Sequence, residues 1–206
     1  MSGINKLIIS PHVDDDVLGC GGILDESCFV LYCGLDETGI PNRPSSKERI
    51  CEIHSVINVT NHQYKILNNL VNRYDDYKLI NQIETEINNI KPNEVYVCHP
   101  SYNQDHKAVY DASMIALRPH DRNHFVKRVF LYEQPQVYLW NTTNREFKAN
   151  YFVPIDINKK IKVYELMKSQ VRSFRSPEHI KSNSKLRGGE SNCDYAEAFE
   201  ILRWVD

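Results

Sequence analysis

The chain is 206 residues long, enough for one well-buried domain and short for two, so a single domain over 1–206 is the expected organisation. Its formal charge of −2, with Lys, Arg, Asp and Glu mixed throughout, gives no electrostatic reason to expect nucleic acid or an anionic membrane surface as partner. No apolar stretch approaches the ~20 residues of a membrane span and MSGINKLIIS has too short an apolar core for a secretion signal, which points to a cytoplasmic protein that binds a small molecule or another protein.

In chain order, KLIIS at 6–10 reads as a short buried strand. It stops at His12, and three consecutive aspartates follow, Asp14, Asp15 and Asp16, before the glycine-rich GCGG at 19–22. Gly19, Gly21 and Gly22 are expected to let the backbone turn tightly under whatever the aspartates hold. CFVLYCG at 28–34 reads as a second strand. SKERICEIHSVINV at 46–59 places Ile50, Ile53, Val56 and Ile57 at helical spacing, and YKILN at 64–68 is a short strand. YKLINQIETEINNIK at 77–91 is an amphipathic helix, PNEVYVCHP at 92–100 a strand bounded by two prolines, and DHKAVYDASMIAL at 105–117 a helix. The alternation predicts an α/β, Rossmann-like three-layer domain with a mostly parallel sheet, whose ligands gather at the carboxyl ends of the strands. His12 and His99 both fall at such ends.

Beyond this the pattern loosens. RVFLYEQ at 128–134 and YFVPIDI at 151–157 read as strands around an excursion at 137–150, and KKIKVYELMKSQVRSF at 159–174 reads as one long helix. The tail from 175 begins as a polar loop, and its last ten residues fit a helix or an edge strand equally. The six cysteines form no C-x-x-C pair and read as small buried apolar residues in a reducing compartment.

Two groups carry chemistry. In the first, His12 and a carboxylate three positions on can reach one metal while the carboxylate between them holds a water; the competing reading makes Asp15 or Asp16 a helix cap and His12 a loop residue. The second is His99, Asn103, Asp105 and His106, at the end of another strand. Two histidine–carboxylate clusters at equivalent strand ends favour a metal site. Two imidazoles and one carboxylate leave a fourth position for water, which makes Zn2+ the expected metal, with other divalent transition metals able to use the same ligands. Hydrolysis is the chemistry such a site performs.

PHVDDD followed by GCGG, together with NQDHKAV at 103–109, resembles the two signature segments of the PIG-L/LmbE-like zinc-dependent N-deacetylases. RICE at 49–52, PNEVYV at 92–97 and DYAEAF at 194–199 extend the likeness in order over nearly the whole chain. The resemblance implies that His12, Asp15 and His106 bind the metal, that Asp14 is the general base, and that Arg49 lies near the substrate. It implies as substrate an N-acetylated amino sugar such as an N-acetylglucosaminyl conjugate; the sequence leaves the oligomeric state open, a homo-oligomer included. Asp105 joins the candidate catalytic residues through the same segment. Val13 replaces the family's proline and Asp16 its glutamate. Asn103 stands where many members carry a histidine; its amide can donate to an oxyanion but cannot protonate a leaving amine, a task for which His99 is the candidate. Three activities are therefore weighed: an N-deacetylase, a non-catalytic sugar-binding relative, and a metal-dependent phosphoesterase, the last disfavoured because basic residues look scattered.

Overall fold

Two short apolar runs with alternating side chains set the layers. In the computed structural model, whose described residues are 4–35, 43–134 and 146–206, Leu7 and Ile9 face one side of the sheet and Ile8 the other. The first core packs Leu7, Ile9, Val95 and Val97 against two helices. The second packs Ile8, Val30 and Phe130 against helices on the opposite face. The strands that carry these residues are thus buried on both faces, as parallel strands covered by crossover helices must be, while the two edge strands of the sheet stay partly exposed.

The elements are β1 (Lys6–Ser10), α1 (Asp15–Cys20), β2 (Cys28–Tyr32), α2 (Ser46–Thr60), β3 (Gln63–Ile66), α3 (Asp76–Ile90), β4 (Glu94–Cys98) and α4 (Gln104–Ala116). They continue as β5 (Arg128–Tyr132), β6 (Tyr151–Pro154), α5 (Ile157–Glu165), α6 (Pro177–Glu190) and β7 (Ala196–Trp204). The sheet runs β3-β2-β1-β4-β5-β7-β6; the first five strands in that order are parallel, and β7 pairs antiparallel with both β5 and β6. This is the three-layer α/β fold with a mostly parallel sheet. The chain winds outward from β1 to β3, then crosses back to lay β4 on the other side of β1. The carboxyl ends of β1 and β4 therefore border the crevice where such sheets bind ligands.

The helices begin where the side chains supply caps. Ser45 and Glu48 form a reciprocal capping box at α2, Asp75 caps α3, Asn103 caps α4 and Asp156 caps α5. Asn61 and Lys91 close α2 and α3 in the left-handed conformation.

Five expectations need correction. The helix expected over 159–174 ends at Glu165 and gives way to a 3-10 turn at Lys168–Gln170, because Glu52 of α2 takes the Ser169 amide and hydroxyl at 2.6 and 2.7 Å. The tail expected as loop is α6, capped by Ser176 with Pro177 in its first turn. The last segment is an interior strand, neither helix nor edge. The glycines after the aspartates also act differently: Gly19 lies inside α1, where a Cβ would strike the Tyr132 ring, and Gly22 lies against Ile155. They permit close approach rather than a special turn. Most of the excursion at 137–150 lies outside the described residues. All six cysteines are free thiols; Cys51 is exposed, contrary to expectation, and Cys193 partly so. Among the described residues no helix is long and apolar enough to cross a membrane.

Candidate metal centre and cavity

The loop after β1 delivers His12, Asp14 and Asp15, and the segment after β4 delivers Asn103, Asp105 and His106. Their meeting point is a triangle of three atoms. His12 Nδ1 and Asp15 Oδ2 are 3.2 Å apart, His106 Nε2 and Asp15 Oδ2 3.3 Å, and His106 Nε2 and His12 Nδ1 3.3 Å. Bonds of about 2.0–2.1 Å to a tetrahedral zinc ion imply ligand–ligand edges of about 3.3 Å. The donor set His12, Asp15 and His106 thus fits one small divalent ion, and all three residues line the cavity.

The surroundings fix each side chain's free atom. Asp105 Oδ2 accepts from His12 Nε2 at 2.9 Å and from the Asn72 amide at 2.7 Å, which leaves His12 Nδ1 for the triangle. His106 Nδ1 lies 3.0 Å from Ser101 Oγ, leaving Nε2. Gln134, just past β5, donates to Asp15 Oδ1 at 3.1 Å. Asp105 does not line the cavity; its part is to orient His12.

The electrostatics of the triangle calls for positive charge. Burial opposes protonation of His12, yet its hydrogen bonds to Asp105 and Asp15 prevail and push its pKa up to about 10. Burial likewise opposes protonation of His106, and the charges of Asp15 and Cys98 push it up to about 10. The Asp15 carboxyl, despite burial, is held well below the usual carboxylate range by His106 and His12. Asp16 behaves differently. It caps nothing, accepts from Tyr32 Oη at 2.9 Å, and is pushed up to about 7 by burial, helped by the charges of Asp14 and Asp15 against the Tyr32 hydrogen bond.

A cleft of about 180 Å³ opens over the triangle. Asp14 lines it, its Oδ2 held by Arg175 at 2.9 Å. Asp14 occupies the N-cap position of α1 without using its side chain as a cap, so the carboxylate is directed to this pairing instead. Asn103 also lines the cleft; its side-chain oxygen accepts the Asp105 amide at 2.8 Å, which leaves the NH2 group as the free half of the carboxamide. Arg49 lines it too and donates to the Val13 carbonyl at 2.9 Å. His99 does not line it: the ring is fully buried and packs edge-on against Phe147, centroids 5.5 Å apart.

Sequence reasoning missed Gln134, Arg172 and Arg175. Gln134 carried a signal, since it follows a strand at the same sheet end as His12. Arg172 and Arg175 carried none, because they sit where a helical period was read or a loop begun. With Arg43 and Arg49 they give the cleft four arginines, so basic residues that look scattered in sequence converge in space.

No family model and no curated protein matches the chain by sequence. Solved structures do. A conserved protein from Thermus thermophilus, TT1542, superposes with a TM-score of 0.79 at 21% identity, over 98% of this chain and 96% of that one. The N,N'-diacetylchitobiose deacetylase from Pyrococcus horikoshii gives 0.78 at 16% identity, over 97% and 84%. GalB, the 4-carboxy-2-hydroxymuconate hydratase from Pseudomonas putida, gives 0.73 at 18% identity, over 98% of each chain. The likeness to the PIG-L/LmbE-type deacetylases thus extends to the fold along nearly the whole chain. A deacetylase and a hydratase share this fold, so the choice of reaction rests on the site.

Proposed function

We propose that the chain is a divalent-metal-dependent N-deacetylase, with zinc as its metal, that removes the acetyl group from an N-acetylated amino sugar. The observation that carries this is the triangle of His12, Asp15 and His106 at tetrahedral edge lengths, with Asp14 on the same cavity wall. A metal ion in such a set, when bound, polarises an amide carbonyl and makes a water acidic near neutral pH. The residues supply the rest. Asp14, fixed by Arg175, takes the proton from the attacking water and passes it to the sugar nitrogen as the C–N bond breaks, so acetate and a free amine leave. The Asn103 NH2 group faces the cleft as a donor for the oxygen on which negative charge develops. Tyr102 and Phe174, 46% and 49% exposed, offer aromatic faces along the cleft for the apolar side of a sugar ring. His99, set back from the cleft, takes no proton-transfer role in this reading.

Acetate release from N-acetylglucosaminides by zinc-loaded protein is the test. Asp14→Asn is expected to retain one metal per chain and lose about 10²–10⁴-fold in kcat, as loss of a general base predicts. No acetate release from any N-acetyl sugar by the metal-loaded parent would sink the proposal. One observation favours a second reading, hydration of an unsaturated carboxylic acid: the cleft is rich in arginine, and a hydratase shares the fold. Loss of conjugated-diene absorbance in place of acetate release would identify it.

A further inference from the structure

Arg175 divides its guanidinium between two partners. One terminal nitrogen meets Asp14 Oδ2 at 2.9 Å; the other donates to Gln170 Oε1 at 2.9 Å, and Nε donates to the Gln170 carbonyl at 3.1 Å. Gln170 is held in its turn. Its Nε2 donates to Ser169 Oγ at 2.9 Å, and Ser169 Oγ donates to Glu52 Oε2 at 2.7 Å. An unbroken chain of hydrogen bonds therefore runs from Glu52 on α2, through Ser169, Gln170 and Arg175, to Asp14. Each link has one permitted direction. A guanidinium only donates, so the Gln170 carboxamide must turn its oxygen to Arg175 and its NH2 group to Ser169. Ser169 Oγ then accepts from Gln170 and sends its own proton to Glu52, which as a carboxylate only accepts. With a carboxylate at one end and an ion pair at the other, the bonds polarise in one sense and reinforce one another. Glu52, Gln170, Arg175 and Asp14 are all buried, so little water competes for these groups. Gln170, Arg175 and Asp14 line the cleft, whereas Glu52 and Ser169 do not. The Ser169 amide donates separately to Glu52 Oε1 at 2.6 Å, which leaves the 3-10 turn an anchor that does not depend on the hydroxyl.

We propose that Glu52 and Ser169 are positioning residues for the general base, acting through Gln170 and Arg175; this rests on the deacetylase reading. An arginine held by nothing else spreads over many rotamers and fixes a carboxylate only part of the time. Clamped by Gln170 at two of its nitrogens, the Arg175 guanidinium is set before substrate arrives, and Asp14 keeps its aim into the cleft while it takes and returns a proton. Helix α2 thus serves the site twice: it lends Arg49 to the cleft wall and, three positions later, orients the base from behind the wall.

Ser169→Ala removes the hydroxyl link alone. In zinc-loaded protein acting on an N-acetylglucosaminide it should lower kcat by at least about tenfold, the loss expected for a hydrogen bond in a charged chain, and leave KM within about twofold. Glu52→Gln, which offers one acceptor where two donors arrive, should do the same, and metal content should stay at the parental level in both. A double-mutant cycle separates positioning from general support of the fold. In an Asp14→Asn background Ser169→Ala should cost less than about twofold, because its effect travels through the carboxylate already removed. Nuclear magnetic resonance of the arginine side chains gives a readout free of catalysis. The Arg175 Nε–H signal, identified by its loss in Arg175→Lys, should show two resolved terminal nitrogens in the parent, as a clamped guanidinium requires, and these should merge in Ser169→Ala and Glu52→Gln. Parental kcat in both variants overturns the inference while leaving the deacetylase standing. An undiminished loss in the Asp14→Asn background overturns it too, as do Arg175 signals unchanged in both variants. If the parent releases no acetate from any N-acetyl sugar, the deacetylase reading falls, and the resonance comparison alone decides whether Glu52 and Ser169 hold Arg175.

Discussion

In the proposed reaction Asn103 does two jobs with one carboxamide, and substitution can part them. Its oxygen caps α4 through the Asp105 amide, and its NH2 group is left towards the cleft. Asn103→Asp keeps a good cap and removes the donor, so it should fold with parental stability and lose about 10²–10³-fold in kcat, mostly without change in KM. Asn103→Ala should show the same kinetic loss together with about 1 kcal/mol of destabilisation. Steady-state kinetics beside urea denaturation of both variants measures the two roles; full turnover in Asn103→Asp would confine the residue to capping. At this scale the residue types of the triangle and their strand-end placement were readable in the sequence, because His12 and Asp15 are three positions apart and His106 opens a helix after a strand. Of the residues that hold these side chains, Asp105 was readable in the same segment and Gln134 only through its place after a strand, whereas Ser101 and Arg175 were not. Gln134 and Ser101 are ordinary residue types, and the link from Arg175 to Asp14 joins positions that no local spacing relates.

Elements fail to follow local pattern where a partner far along the chain decides. The amphipathic period over 159–174 was real, yet Glu52 captures Ser169 and the helix stops short. Helix α6 was hidden for the opposite reason: it buries Ile180, Ser184 and Gly188, one apolar residue and two small ones at a spacing of four, so no hydrophobic stripe marks it. Gly188 must be small, since a Cβ would meet the carbonyls of Cys193 and Asp194 at 2.6 Å. The junction of α2 and β3 yields a pH prediction. His62 is buried there with Nδ1 2.6 Å from Thr60 Oγ1, and burial pushes its pKa down to about 4. The unfolded chain takes up this proton below its ordinary value of 6.5 and the folded chain only near 4, so the stabilising contribution is whole above that ordinary value and is lost as pH falls through the window. The full loss amounts to about 3 kcal/mol, and roughly 2 kcal/mol of it should be gone by about pH 5. His62→Gln should remove that slope from urea denaturation curves measured between about pH 7 and about pH 5; an unchanged slope would assign it to other groups.

Across the whole molecule, the triangle joins the loops after β1 and β4 at the place where the winding of the sheet reverses, so an ion bound there would also tie its two halves. Zinc at about a thousandfold over its Kd should stabilise the fold by about 4 kcal/mol and raise Tm by several degrees. A chelator should reverse the shift, and His106→Ala should abolish it; a Tm indifferent to zinc in the parent would mean that the triangle holds no ion. The mostly parallel architecture was legible from the alternation of strands and helices, whereas the antiparallel half was not, since pairing partners far apart leave no trace in local periodicity. The placement of β7 between β5 and β6 also has a temporal side. A ribosome makes β5 and β6 first, and at about 5–20 residues per second the stretch 133–195 takes several seconds or more to emerge before β7 can follow. For that interval β5 of the nascent chain carries an open edge flanked by Val129 and Leu131, which the finished sheet buries. Making this protein therefore includes a wait for one strand, and the hazard of that wait is exposure during synthesis rather than weakness once folded.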